Sequence, residues 1–167
     1  AGALEKGVEV QTLNLGDLDF QINLSKGYRE KTELEPDLLK AQKLILWAEH
    51  VVWVYPVWWG GLRAVLKGFL VRTYLPGFAF KYRPNSVWWD KLLKGKSARI
   101  ITTLDQPSWY YRWVNGRPTH HAMKKMTLKF SGFNPVKTTL IGPIRPSKPE
   151  TRAKWLEKVR RIGNSLS

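Results

Sequence analysis

Val51–Tyr55 reads V-V-W-V-Y, five β-branched or aromatic residues with no polar position among them. A strand with one wet face alternates apolar with polar, whereas an unbroken run of this kind suits a parallel strand buried on both faces. Parallel strands need crossover connections, and helical patterns lie on both sides of this run. Pro36 is placed to open one helix, with Leu38, Ala41, Ile45 and Ala48 at helical spacing. A second amphipathic helix is expected over Leu62–Leu75. Further strands are expected at Ala98–Thr103 and Val136–Ile141, separated by a basic helix from about Thr119 to Phe130 that stops at Gly132. Ser147 and Glu150 form a capping-box pattern with Pro149 between them. That pattern predicts a last helix with Ala153, Leu156, Val159 and Ile162 as its inner stripe.

Near the start, A-G-A-L-E-K-G reads as the last turn of a helix with Gly7 as a left-handed cap. Val8–Leu15 reads as a strand, and Gly16–Glu33 as an irregular polar connection. Pro76–Lys96 shows little periodicity and reads as a long loop. Strands alternating with helices place the chain in the α/β class, as one domain over residues 1–167 built on a parallel sheet.

With 167 residues, 43% of them hydrophobic, the chain can bury one compact core. It has no cysteine, which excludes disulfides and thiolate sites, and its three histidines are too few and too badly spaced for a metal centre. No apolar run approaches the ~20 residues of a membrane span and no leader pattern stands at the start, so a soluble cytoplasmic protein is expected. The charge is lopsided. Residues 1–50 carry nine acids and six bases, while residues 51–167 carry four acids and twenty-two bases. A basic half of this kind points either to an anionic partner or to a solvated surface.

In open parallel sheets, ligands bind outside the carboxyl ends of the strands. Two aromatic loops follow strands there: P-V-W-W-G-G at Pro56–Gly61, and L-D-Q-P-S-W-Y-Y-R-W-V-N-G-R-P-T-H-H at Leu104–His121.

The chain resembles the flavodoxin-like NAD(P)H:quinone oxidoreductases, a family that includes the quinone reductases and the modulator-of-drug-activity type. The resemblance rests on Y-P-V-W-W-G-G-L-R-A-V-L-K-G-F-L-V-R-T-Y-L-P-G-F-A-F-K-Y, on the strand ending in Thr102–Thr103, and on M-K-K-M-T-L-K-F-S-G-F-N-P-V-K-T-T-L-I-G-P-I. These motifs occur in order over nearly the whole chain. The resemblance implies a doubly wound parallel sheet, bound FAD or FMN, NAD(P)H as co-substrate, a quinone or similar flat electrophile as acceptor, and a homodimer. It also implies a ping-pong reaction in which hydride passes to and from the flavin. Carried over by position, Pro56, Val57, Trp58 and Trp59 would line one edge of the flavin ring. Thr102, Thr103, Leu104 and Asp105 would line the opposite edge. Tyr110 would approach the ring and act as hydrogen-bond or proton donor to the acceptor. Asp105, a carboxylate, would have to point away from a reduced flavin.

The family's fold begins with a strand and a phosphate-binding turn that nothing before Val8 resembles. The expectation is therefore an N-terminally incomplete flavodoxin-like sheet. In the strand order 2-1-3-4-5, the gap would fall between Val8–Leu15 and Val51–Tyr55.

Simpler roles compete at several positions. Trp58 and Trp59 could plug the core. Trp88 and Trp89, in a loop without an evident polar partner, read as packing or dimer contacts, His120–His121 as a solvated helix start, and Lys67 as a solvated lysine. A basic module for nucleic acid or another anionic partner is the alternative function. It is disfavoured because the aromatics gather in two loops and do not alternate with Lys and Arg along one sheet face. A chain that binds no flavin and only docks on a partner is the third reading.

Overall fold

The computed structural model describes residues 2–27, 29–30 and 32–165. Its elements are α1 (Gly2–Glu5), α2 (Pro36–Trp47), β1 (His50–Pro56), α3 (Ala64–Thr73), β2 (Phe80–Tyr82), β3 (Trp89–Lys91), β4 (Ser97–Thr103), α4 (Pro118–His120), β5 (Val136–Ile141) and α5 (Pro149–Ser165). The main sheet has the order β1-β4-β5 and is wholly parallel, with Tyr55 beside Thr102 and Thr102 beside Leu140. This is the α/β architecture expected from the alternating pattern, and the three clearest strands fall within a residue of their sequence positions.

The core lies on the sheet face covered by α2 and α3. Trp53 and Tyr55 project into it from β1, and the Trp53 ring meets Phe69 at 6.1 Å and Tyr74 at 6.3 Å between centroids. Leu38, Ala41 and Ile45 are the buried stripe of α2, as their spacing requires. On α3, Gly68 lets the helix lie against the chain at Ile22. A Cβ there would stand 2.8 Å from the Ile22 carbonyl oxygen, closer than a side chain tolerates.

Arg72, also on α3, is 1% exposed, and both terminal nitrogens of its guanidinium are met. Its guanidinium donates to the carbonyls of Gln21 and Glu33, at 2.7 and 3.3 Å, and to both Glu35 oxygens, the nearer at 2.7 Å. Burial would raise the Glu35 carboxyl, but N–H donors from Gln21 and its own backbone, together with Arg72, hold it below its ordinary value. This node ties Gln21, Glu33 and Glu35 onto α3.

Several expectations need correction. Val8–Leu15 forms no ladder. It runs unpaired into a single 3₁₀ turn at Leu15–Asp17, with the Asn14 side chain accepting the Gly16 N–H. The three-stranded order offers it no neighbour, and Leu13 and Leu15 pack on the core instead. Pro76–Lys96 is not all loop: β2 and β3 form an antiparallel hairpin pairing Phe80 with Lys91.

β1 is not buried on both faces. Val52 and Val54 are 49% and 69% exposed. Their face looks into an apolar trough of about 660 Å³ lined also by Ile101, Leu156, Val159 and Ile162. The stripe of α5 therefore borders open space and not a filled core. Ser147 does not cap α5 either; its hydroxyl donates to the Ile144 carbonyl and accepts from Arg152. The basic helix begins as α4 and continues as a wider π-helical stretch, His121–Lys129.

Candidate functional site

The two aromatic loops leave the carboxyl ends of β1 and β4, which are neighbours in the sheet, so the topology alone sets them side by side. The Val57 N–H donates to the Thr103 carbonyl at 2.8 Å and clamps their roots together. Further out, Gly60 lies against Pro118: a Cβ on Gly60 would stand 3.7 Å from the proline ring.

Trp58–Gly61 is a tight turn closed by the Gly61 N–H donating to the Trp58 carbonyl at 2.8 Å. Its central residues, Trp59 and Gly60, have φ of 50° and 68°. This is the mirror-image turn that favours Asn and Gly at both centres. A tryptophan in the left-handed region is uncommon and costs roughly 1–2 kcal/mol. The Trp59 side chain is fully exposed, so no packing repays that cost locally. Trp58, Trp109, Tyr110 and Trp113 are exposed as well. Trp109 and Tyr110 meet edge to face at 5.6 Å, and the Arg63 guanidinium lies 4.6 Å from the Trp58 ring centroid. The core-plug reading of Trp58 and Trp59 therefore does not describe this turn.

Beneath this surface lies a buried polar cluster. His120 Nε2 and the Thr102 hydroxyl are 3.0 Å apart, and the Tyr111 and Thr119 hydroxyls 2.6 Å apart. The Tyr111 ring stands edge-on to His120 at 5.5 Å. Burial, and after it the charges of Arg117, Arg112 and Lys124, pull the His120 imidazole down to about 4, so it is neutral near pH 7. A neutral imidazole with one nitrogen committed to Thr102 fixes the end of β4 and is no reservoir of protons.

The site residues expected from sequence divide accordingly. Pro56, Val57, Trp58 and Trp59 are together on one loop, and Tyr110 stands exposed on the other. Thr103 is partly exposed, at the clamp. Thr102 and Leu104 are buried and turn their side chains inward. Asp105 is engaged with the chain after β5: its carboxylate accepts the Arg145 N–H at 2.8 Å. His120 is a buried network member and not a solvated helix start, while His121 and Lys67 are exposed. Trp89 has a polar partner after all; it stacks on Phe130 at 4.2 Å and its Nε1 donates to the Phe130 carbonyl. The sequence motifs do not single out the His120 cluster. The available signal was helical spacing, since Met123 and Leu128, on the same face, are core residues. The apolar trough beside α5 has none of the two loops' residues in its walls.

These residues fit the ring of a flavin. They offer a broad aromatic surface and, at Trp59 and Gly60, backbone N–H groups without a bonding partner among the described residues.

The family model for the flavodoxin-like fold matches residues 1–164. The chain belongs to the flavodoxin-like fold family. Among solved structures, the flavodoxin-like chain is similar to Smu.1420 from Streptococcus mutans, at 35% identity and a TM-score of 0.71, covering 78% of this chain and 68% of that one. The NAD(P)H:quinone oxidoreductase from Methanothermobacter marburgensis shares the fold at 19% identity and a TM-score of 0.80, covering 99% and 83%. Among curated relatives, rat NAD(P)H dehydrogenase [quinone] 1 is 29% identical over 84% of this chain and 52% of its own length. The chain thus spans about half the length of that relative. No helix among the described residues is long and apolar enough to cross a membrane.

Proposed function

We propose that this chain acts as a flavin-dependent NAD(P)H oxidoreductase that reduces quinones or similar flat electrophiles. The observation that carries this reading is the pair of clamped loops at the carboxyl ends of β1 and β4. They present Trp58, Trp59, Trp109, Tyr110 and Trp113 to solvent, Trp59 from a turn held in an unfavourable backbone conformation. Backbone strain with no local packing gain is most often kept where a ligand uses it. Similarity to enzymes named as NAD(P)H:quinone oxidoreductases supports the same reading.

The flavin, FAD or FMN, would supply two-electron chemistry between a reduced nicotinamide and the acceptor. The chain's own residues would do the rest. Pro56–Trp59 and Thr103 would border the ring, with the Trp59 and Gly60 N–H groups as donors to its polar rim. Thr102, Leu104 and Asp105 would act only through backbone position, because their side chains face elsewhere. Tyr110 would offer its hydroxyl to an acceptor oxygen. Donor and acceptor would take turns on one aromatic surface, a ping-pong order. A second copy of the chain would cover the exposed tryptophans, giving a homodimer, and the reaction would take place in the cytoplasm.

The test is titration with FMN and with FAD, followed by quenching of tryptophan and flavin fluorescence. Saturable quenching, then bleaching of the bound flavin by NAD(P)H, is the expected result. Absence of saturable binding by either flavin overturns the reading. If the chain instead bound nucleic acid with steep salt dependence, the basic-module alternative would take its place.

A further inference from the structure

The second aromatic loop opens a long stretch of chain rich in cations and poor in acids. Between Asp105 and Glu150 the sequence contains no acidic residue, yet it holds Arg112, Arg117, Lys124, Lys125, Lys129, Lys137, Arg145 and Lys148. Asp105 itself is engaged with Arg145 through its backbone N–H at 2.8 Å and its guanidinium at 3.9 Å. Arg112 stands between Tyr110 and Trp113 on the second loop, Arg117 directly precedes Pro118, and Lys124 follows His120 by four residues. Arg112 and Arg117 are exposed and Lys124 is half-buried.

Arg117 is held at that seam by its backbone. Its φ and ψ are 55° and 53°, left-handed, in a residue that precedes a proline. Such a residue is ordinarily pushed to extended conformations. Its N–H donates to the Tyr111 carbonyl at 3.1 Å, and its own carbonyl accepts the His121 N–H at 2.9 Å. The next residue, Pro118, is the one that touches the Gly60 turn. Across the turn, Arg63 lies over Trp58. None of Arg63, Arg112, Arg117 and Lys124 has an acidic partner among the described residues. A surface bearing one sign of charge attracts the opposite sign, and guanidinium groups match planar oxyanions two bonds at a time.

We propose that the seam between the two loops is an anion subsite, and that the site selects flat aromatic acceptors carrying a carboxylate or sulfonate. Arg112, Arg117 and Lys124 take the anionic group while the exposed Trp and Tyr side chains take the ring. The proposal rests on the reading above only in placing the acceptor on the aromatic surface.

The experiment titrates the chain's tryptophan fluorescence with two anthraquinones, 2-(hydroxymethyl)anthraquinone, which is neutral, and anthraquinone-2-sulfonate. The sulfonate should bind about tenfold more tightly at low ionic strength. Its advantage should shrink when salt shortens the Debye length to about 8 Å. Arg117→Gln combined with Arg112→Gln should bring the two quinones to parity. Lys124→Gln, which leaves the strained backbone at Arg117 alone, should do so in part and guards against a double variant that fails to fold. Equal affinity of the two quinones, no binding of either, or a preference insensitive to salt overturns the proposal. Loss of FMN or FAD binding in the double variant, with the sulfonate preference intact, assigns the cations to a nucleotide phosphate and also overturns it. Because neither quinone titration needs a flavin, a chain that binds no flavin but prefers the sulfonate sinks the oxidoreductase reading and leaves the subsite standing.

Discussion

Arg72 and the trio Arg112, Arg117 and Lys124 are cations of one molecule treated in opposite ways. Arg72 is buried, and two carbonyls and both oxygens of Glu35 face its guanidinium. The trio lies on and just after the second aromatic loop, and none of the three is in an ion pair among the described residues. A buried charge must be met or the chain does not fold. An exposed cluster of like charges is tolerated because water screens it, and it is useful only when something else supplies the counter-charge. The first arrangement serves the fold and the second leaves room for a ligand.

The largest expected effect tests the first half of that contrast. Arg72→Met leaves Glu35 and two carbonyls unmet at the edge of the core, and should cost about 3–5 kcal/mol in urea unfolding. A loss below about 1 kcal/mol would show that the node is no keystone.

Acidity separates the two regions. His120 is depressed from 6.5 to about 4, so the unfolded chain binds its proton first as pH falls. The stability it contributes is whole above pH 6.5 and drains as pH drops toward 4, by on the order of 3 kcal/mol. His50 is also lowered, by burial and then by Arg99 and Lys137, and adds to the slope in that window. The difference between wild type and His120→Gln is therefore the measure, and identical slopes would remove the site's buried histidine from the account. Glu35 is lowered too, but from 4.5, so its contribution is present above that value and fades only below it. The site should loosen before the Arg72 node does, as loop and core tryptophan signals would show.

Trp59→Gly should do the reverse of most substitutions. Relief of the left-handed backbone is worth about 1 kcal/mol of added stability, while flavin binding should weaken. A loss of stability would mean that Trp59 packs on something and that its exposure has another meaning. Smallest of all, Arg83→Ala removes the exposed pair with Asp90 and should leave the unfolding midpoint almost unmoved.

Much of the scaffold could be read from residues alone because its signals are local. The V-V-W-V-Y run, the helical spacing from Leu38 and the pattern at Val136–Ile141 each specify an element without reference to the rest. The failures share one cause. Val8–Leu15 has strand composition, but a strand exists only beside a partner, and the sheet sets none there. Ser147 and Glu150 have capping spacing, but the Ser147 hydroxyl found the Ile144 carbonyl first. At the site, the loops and their aromatics were legible. Which side chains turn inward was not: Thr102 faces His120 only because the fold brings α4 to the end of β4, and Asp105 faces Arg145 only because β4 and β5 are neighbours.

The all-parallel sheet also has a consequence in time. β1 and β4 are joined by residues 57–96, and β4 and β5 by residues 104–135, so no hairpin can zip these strands together. Each pairing waits for a long crossover to close, the slow, non-local kind of folding step. Both aromatic loops are the opening residues of those crossovers. The contact of Gly60 with Pro118 can form only when β1 has found β4, so the surface that would meet a ligand arrives in the same event that closes the sheet.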